Sequence, residues 1–407
     1  MVVALPSPYR PGYNQRPVVL AGREDVLAAA DEALAVAVLE GRTPPALLVV
    51  GPRGVGKTVL LGEIADRAGE RYSWPRLHVE IAPGSSLTAD LVAGARDLLA
   101  RFDQQPPSGR FRATSVVVGA SLTGVHGEVT LTRSDAASPG GGGEIRVALA
   151  SVVDAAADRD SGFVLTIDEM QLASRDELGQ LAAVLQRATE AAWPVVVVGA
   201  GLPGMRDPGR TVSYFERAEW HEIGSLDPRQ TRLALEGPAE AAGRPFEDDA
   251  LDLLADRSGG YPYAVQLYGH HAWRASAGSD RIDLGAARRA ATTAQKQLEV
   301  GLYANRWVQA SGGERNYLVH LARLLAASQS VRGAEVAAAL GVTARQVSTV
   351  RDRLLKKGTI SAEGEYLHFA VPGMSEYVLR QSPDNSPDHE LGGKAHRARR
   401  QQDDVGL

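Results

Sequence analysis

The stretch Gly51-Pro52-Arg53-Gly54-Val55-Gly56-Lys57-Thr58 decides the reading of this chain. It fits G-x-x-x-x-G-K-[ST]. It follows an apolar run, Ala46–Val50, with the character of a strand, and it precedes Val59–Ala65, with the character of a helix. That order is what a phosphate-binding loop requires. Glycines let the backbone N–H groups wrap a phosphate chain, and the helix N-terminus turns its partial positive charge toward it. On this reading Gly51 to Thr58, with Val59 beyond, form a nucleotide-binding segment. Lys57 reaches the β- and γ-phosphates, and the Thr58 hydroxyl ligates Mg²⁺.

Bulk properties bound the rest. The 407 residues predict two or three domains. A hydrophobic share of 44% and a charged share of 23% are ordinary for a globular chain. The net charge of −5 excludes a polyanion binder as a whole, so any nucleic-acid site must be a local patch. With no cysteine, disulfides, thiolate chemistry and cysteine-based zinc sites are excluded. The first 16 residues carry Pro6, Pro8, Pro11 and Gly12 and read as an extended arm, not a signal peptide. No apolar run is long enough to span a membrane, so the expected location is the cytoplasm.

Short apolar runs alternate with helical patterns along residues 17–224. Arg76–Ile81, Phe163–Ile167 and Val195–Val198 read as strands, with a last one near Trp220–Ile223. Glu24–Leu39, Glu144–Ala157 and Ser174–Ala191 read as helices. This alternation predicts an α/β domain whose parallel sheet is covered on both faces. Residues 103–143 do not suit such a core. Thr114–Gly119 and Glu128–Thr132 suggest a hairpin and Ser134–Gly143 a Gly-rich linker, so the segment reads as an insertion. From Asp227, followed by Pro228 at a helix start, the texture is helical, and Asp283–Trp307 reads as one long helix. The apolar-poor tail from Ser382 to Leu407 reads as disordered. His270-His271 on a helix point different ways and do not predict a metal site.

The second motif is Phe163-Val164-Leu165-Thr166-Ile167-Asp168-Glu169. An apolar strand ending in two acids sets both carboxylates at the sheet edge where α/β folds bind ligands. Asp168 joins Thr58 around Mg²⁺, and Glu169 orients or deprotonates the attacking water.

Together these residues resemble the AAA+ ATPases, near the branch of the archaeal origin-recognition initiators, over residues 17–381. Gly22-Arg23-Glu24 sits where that branch has a Gly-Arg-Glu box, and Asp168-Glu169-Met170-Gln171 is similar to its Walker B form. Gly259-Gly260-Tyr261-Pro262-Tyr263 resembles the Gly-x-Pro element of the signal-transduction (STAND) ATPases, whose proline, here Pro262, lies at the nucleotide. The resemblance implies a P-loop NTPase fold: a parallel five-stranded sheet with helices on both faces, then a helical lid over 225–307. It implies ATP or ADP and Mg²⁺ as ligands, and an ATP-dependent homo-oligomer. The arginine finger of such an oligomer corresponds to Arg217, with Arg206 and Arg210 as competitors. Two stabilising groups of the family are missing. The fourth strand ends in Gly199-Ala200-Gly201 where a polar sensor is usual, and Tyr263 stands for the lid arginine. Groups of that kind are worth about 10²–10³ each in rate, so slow hydrolysis is expected.

Residues 308–381 differ again. Glu314–Ala326 is a helix, then Gly333–Leu340, a turn and Ala344–Lys357 read helix–turn–helix with Thr343 as cap. Ser361–Phe369 reads as a hairpin with Glu363-Gly364-Glu365 at its tip. The order resembles a winged helix-turn-helix. Its second helix carries Arg345, Gln346, Ser348, Thr349, Arg351, Arg353, Lys356 and Lys357, and the region holds nine Lys or Arg against six Asp or Glu. Double-stranded DNA is the expected partner, through Thr343, Arg345, Gln346, Ser348, Thr349, Arg351 and Lys356. The acidic hairpin tip points the other way, to a STAND-like switch whose C-terminal module meets protein rather than DNA.

Overall fold

A computed structural model describes residues 6–12, 14–104, 142–206, 212–328 and 330–381. The expected hairpin, residues 134–141 of the expected linker, Arg210, and the tail from Ser382 lie outside the described residues, while Gly142 and Gly143 of that linker are helical. The chain divides into two compact units, Met1–Ala291 and Thr292–Leu407.

In the first unit the elements run α1 (Glu24–Leu39), β1 (Leu47–Val50), α2 (Lys57–Tyr72), β2 (Arg76–Glu80), α3 (Leu87–Gln104), α4 (Gly142–Ala157), β3 (Phe163–Asp168), α5 (Arg175–Glu190), β4 (Val195–Gly201), α6 (Ser213–Glu216) and β5 (Glu219–Glu222). The strands form one parallel sheet of order β2-β3-β4-β1-β5. Alternate residues of β1 enter different cores. Leu48 and Val50 pack with α3, α4 and α5, while Leu47 and Val49 pack with α1 and α2. Both faces of the inner strands are therefore apolar, as a doubly covered sheet demands. Helix starts follow local chemistry. Ser174 and Glu177 close a capping box at α5, with Ser174 Oγ accepting from Glu177 N at 3.2 Å.

The unit continues with α7 (Pro228–Ala241), α8 (Asp248–Ser258), α9 (Pro262–Ala275) and the start of α10 (Leu284–Leu298). Asp227 and Gln230 form a capping box at α7, with Pro228 as its first residue.

The second unit takes over within α10. The single long helix expected to Trp307 is interrupted by a π-helical stretch, Glu299–Tyr303, before α11 (Ala304–Val308). The stretch is tied to the C-terminal module: Tyr303 Oη donates to the Pro372 carbonyl at 2.6 Å, and Arg380 pairs with Glu299 at 2.5 Å. Both ties lie within the second unit, which begins at Thr292, whereas helical texture reads the boundary at 307.

The remainder is α12 (Gly312–Ala327), β6 (Val331–Arg332), α13 (Gly333–Ala339), α14 (Ala344–Lys356), β7 (Ile360–Glu363), β8 (Tyr366–Phe369) and α15 (Met374–Gln381). The three strands pair antiparallel in the order β6-β8-β7. Leu318, Leu321, Val336, Leu354, Ile360, Leu367 and Val378 are buried. No helix among the described residues is long and apolar enough to cross a membrane.

Candidate functional site

The loop between β1 and α2 sits at the C-terminal edge of the central strand, beside the ends of β4 and β5. Gly54 and Gly56 have φ of +83° and +94°, a region closed to most side chains. Lys57 opens α2, is buried, and donates from Nζ to the carbonyls of Gly51 and Pro52, each at 2.8 Å. Burial pulls its amine down to about 8, against the opposing pull of Glu169 and Asp168.

Thr58, the next residue, donates from Oγ1 to Asp168 Oδ2 at 2.5 Å across 110 residues of sequence. Asp168 ends β3 and is buried. Its second oxygen accepts the Glu169 N–H at 2.8 Å. A hydroxyl and a carboxylate held this close are two hard oxygen donors suited to Mg²⁺, whose remaining positions water and phosphate oxygens can fill. Thus Lys57, Thr58, Asp168 and Glu169 are brought together, as their sequence positions suggested.

Glu169 turns out of the strand with φ +54°. Its Oε2 accepts a hydrogen bond from Gln171 Nε2, while Gln171 Oε1 accepts from Leu202 N at 3.0 Å. Gln171 therefore links the acid after β3 to the end of β4. Around it Gly199 and Gly201 have no room for a side chain. A Cβ at Gly199 would overlap Met170 Sδ, and one at Gly201 would overlap Met205 Sδ.

Arg23, from the Gly-Arg-Glu box, is buried and donates to Val55 O at 3.0 Å, Gly224 O at 2.8 Å and Gly22 O at 2.7 Å. It fastens the start of α1 to the phosphate loop and to the chain leaving β5. Burial lowers its pKa from the usual arginine range, with Glu24 opposing. Tyr261, just before Pro262, donates from its hydroxyl to Arg53 O at 3.0 Å, which sets the start of α9 against the loop. Beneath the site, Arg76 Nε and His78 Nδ1 each lie 2.9 Å from Thr166 Oγ1. Burial, then the neighbouring Arg76, pushes His78 below the ordinary histidine range.

The family model described as AAA ATPase domain matches residues 19–198. These residues are an AAA-type ATPase domain. A second family model, described as domain of unknown function (DUF8462), matches residues 300–378. No curated protein sequence matches the chain. Among solved structures, the Walker-type ATPase paby2304 of Pyrococcus abyssi is 16% identical with a TM-score of 0.57, over 93% of this chain and 99% of that one. The ORC2 protein of Aeropyrum pernix, described in ADPNP–ADP complexes, is 14% identical with a TM-score of 0.56, over 91% and 97%. The Holliday junction branch migration motor RuvB of Thermotoga maritima is 18% identical with a TM-score of 0.45, over 90% and 99%. The first two share the fold of the AAA domain and its parallel five-stranded sheet. The family match makes a nucleotide the ligand class of this domain.

Other expected positions lie apart from this cluster. Arg217 is exposed in the turn between α6 and β5. Its competitor Arg206 stacks over Trp220 at 5.3 Å and lies 3.8 Å from Glu222. His270 and His271 rings are 5.5 Å apart, and no group of three metal-ligating side chains occurs among the described residues.

On α14, Arg345, Thr349, Arg353 and Lys356 are exposed. Their spacing of four, four and three residues sets them on one helix face. Gln346 is committed to the helix cap, accepting from Thr343 N at 2.8 Å and Thr343 Oγ1 at 2.9 Å. Ser348 bonds back to the Arg345 carbonyl at 2.8 Å. Arg351 is half-exposed and pairs with Asp352 at 3.0 Å.

Sequence alone does not mark Arg23, Tyr261 and Gln171 as contacts of the site, and it sets Arg353 on the second helix without counting it among the DNA contacts. Arg23 and Tyr261 lie inside motifs that were recognised for other residues, so position in the motif was their only signal. Arg353 was legible from the four-residue spacing to Arg345 through Thr349.

Proposed function

We propose that this chain is a slow, Mg²⁺-dependent ATPase whose nucleotide state controls DNA binding by its C-terminal unit. The observation that carries the first half is the 2.5 Å contact of Thr58 with Asp168 beside buried Lys57. Backbone N–H groups of Gly51–Val59 hold the phosphates, and Lys57 neutralises the β- and γ-phosphates. Thr58 and Asp168 hold Mg²⁺, Glu169 prepares the water, and Pro262 borders the base. Arg217 serves a neighbouring subunit of an ATP-dependent homo-oligomer. Slowness follows from three features. β4 ends in glycines, Tyr263 occupies the lid position of an arginine, and Glu169 is engaged by Gln171. Glu169→Gln should keep ATP affinity and lower turnover by about 10²-fold or more. Unchanged turnover in that variant removes Glu169 from the mechanism.

We read the second unit as a winged helix with α14 as its recognition helix. The exposed basic face of α14 supports this, with Arg345, Thr349, Arg353 and Lys356 as the leading contacts. Thr343 and Gln346 then act through the helix start, and Ser348 and Arg351 flank the face. Replacing Arg345 and Arg353 together by Ala should reduce the slope of log affinity against log salt by about 2, one unit per phosphate. An unchanged slope, with unchanged affinity, overturns DNA binding through α14. A second reading, an ATP-gated switch of protein association, is favoured by the hairpin side of the unit. There Arg332 is paired with Glu365 at 3.5 Å and stacked on Tyr366, which reduces the positive charge available to a phosphate. Analytical ultracentrifugation with and without Mg-ATP separates the two.

A further inference from the structure

Tyr261, in the element Gly259-Gly260-Tyr261-Pro262, reaches the phosphate loop with its side chain. Gly259 and Gly260 are both left-handed, with φ of +54° and +68°. The Gly260 carbonyl accepts from Leu226 N at 2.8 Å, which anchors the turn to the chain between β5 and α7. Tyr261 follows as the residue before α9, and its side chain is almost wholly buried. Its hydroxyl reaches across 208 residues of sequence to donate to the Arg53 carbonyl at 3.0 Å. Independently, a Cβ at Gly54 would overlap that same hydroxyl. The glycine in the loop and the tyrosine in the lid are thus fitted to each other.

The consequence follows from peptide geometry. The described backbone has no cis peptide bonds. In a planar trans peptide the N–H of one residue points opposite to the carbonyl of the residue before it. The hydroxyl holds the Arg53 carbonyl on the lid side of the loop. The Gly54 N–H is therefore held on the other side, and Gly54, lacking a side chain, would otherwise let this peptide rotate freely.

We propose that Tyr261 is a positioning residue for polyphosphate: its hydroxyl fixes the Arg53–Gly54 peptide so that the Gly54 N–H is presented to the phosphate chain of a nucleoside di- or triphosphate. This rests on the reading of the loop as the ATP site. Because α9 begins at Pro262, the same bond makes the lid sense whether the loop is in its phosphate-binding form. Tyr261 does not touch the reacting atoms and acts only through the loop.

The test is Tyr261→Phe in the full chain, which keeps the buried ring and removes the hydroxyl. Affinity is measured by competition against a fluorescent ADP, with ADP and adenosine as the two competitors. Loss of one hydrogen bond that orders the loop should weaken ADP about three- to ten-fold. Adenosine, which has no phosphate, should bind as it does to wild type. Equal loss for both competitors makes Tyr261 a packing residue and overturns the proposal. So does an ADP affinity equal to wild type. Wild-type protein that binds no ADP overturns the ATP reading itself, and a Lys57→Ala control read in the same assay identifies that case. Thermal unfolding without nucleotide checks that the variant is folded.

Discussion

Lys57 should make the nucleotide-free protein less stable, and by an amount that depends on pH. Its amine titrates near 10.5 when free in solution and is pulled down to about 8 by burial in the loop. A folded pKa below the unfolded one means that the unfolded chain binds more protons between these values. Stability contributed by this group therefore rises as pH increases from about 8 to 10.5. Near pH 7 the burden of keeping the amine charged is about 3 kcal/mol, from about 1.4 kcal/mol per pKa unit. Near pH 9 the folded amine is mostly neutral and the burden falls to about 2 kcal/mol. Lys57→Met removes this term entirely. It also removes the donor for the Gly51 and Pro52 carbonyls, a loss that does not vary with pH in this range. The difference between variant and wild type should thus move by about 1 kcal/mol between pH 7 and pH 9, in favour of wild type at the higher pH. Urea denaturation followed by circular dichroism, in EDTA without nucleotide, gives both curves, and subtraction cancels the other titrating groups. Two stability curves that run parallel from pH 7 to pH 9 would refute the buried-amine argument. Adding Mg-ATP should stabilise wild type and leave the variant unmoved, so the charge that weakens the free protein is the one that holds the ligand.

Two further outcomes follow from packing. Gly199→Ala should lower the stability of the first unit by about 1–3 kcal/mol, because the new methyl would overlap Met170 Sδ and press on Leu48, and a chemical-denaturation midpoint equal to wild type would show that these side chains yield freely. In the second unit, Glu314 is buried and accepts from Lys357 at 2.7 Å and from Ser311 N at 2.7 Å. Burial alone would raise its pKa, but these bonds outweigh it and hold the carboxyl below the usual range. That contribution is present above the ordinary carboxylate pKa and is lost as pH falls through the depressed value. Lys357→Met should cost about 1–3 kcal/mol near neutral pH and progressively less in acid, a trend that pH-dependent thermal unfolding would reveal or deny.

How much could be read beforehand depends on the range of each interaction. The phosphate loop, the acidic strand end and the helix start at Asp227-Pro228 are local patterns, and each is legible from a few adjacent residues. The two-sided burial of β1 was legible too, since an unbroken apolar strand has no face for water. The strand order β2-β3-β4-β1-β5 was not in those patterns, because periodicity says nothing about which strands are neighbours. The π-helical break at Glu299–Tyr303 escaped for a related reason: it coincides with tertiary ties to Pro372 and Arg380, while the helical period runs on unchanged. Arg23 and Tyr261 were visible as letters inside motifs, but their contacts lie 32 and 208 residues away in sequence.

The glycine end of β4 gains meaning only in three dimensions. Read as sequence, Gly199-Ala200-Gly201 is the loss of a polar group beside the phosphates. In the structure the space such groups would need holds Met170 and Met205, and Gln171 bridges Glu169 to Leu202 N. A polar side chain at Gly199 would have to displace Met170, the residue directly after Glu169, and so would disturb that acid. The missing group and the engaged Glu169 are therefore one packed arrangement. Placing a polar side chain at this strand end would require changing Gln171 and the two methionines together, because a single substitution there meets a filled site.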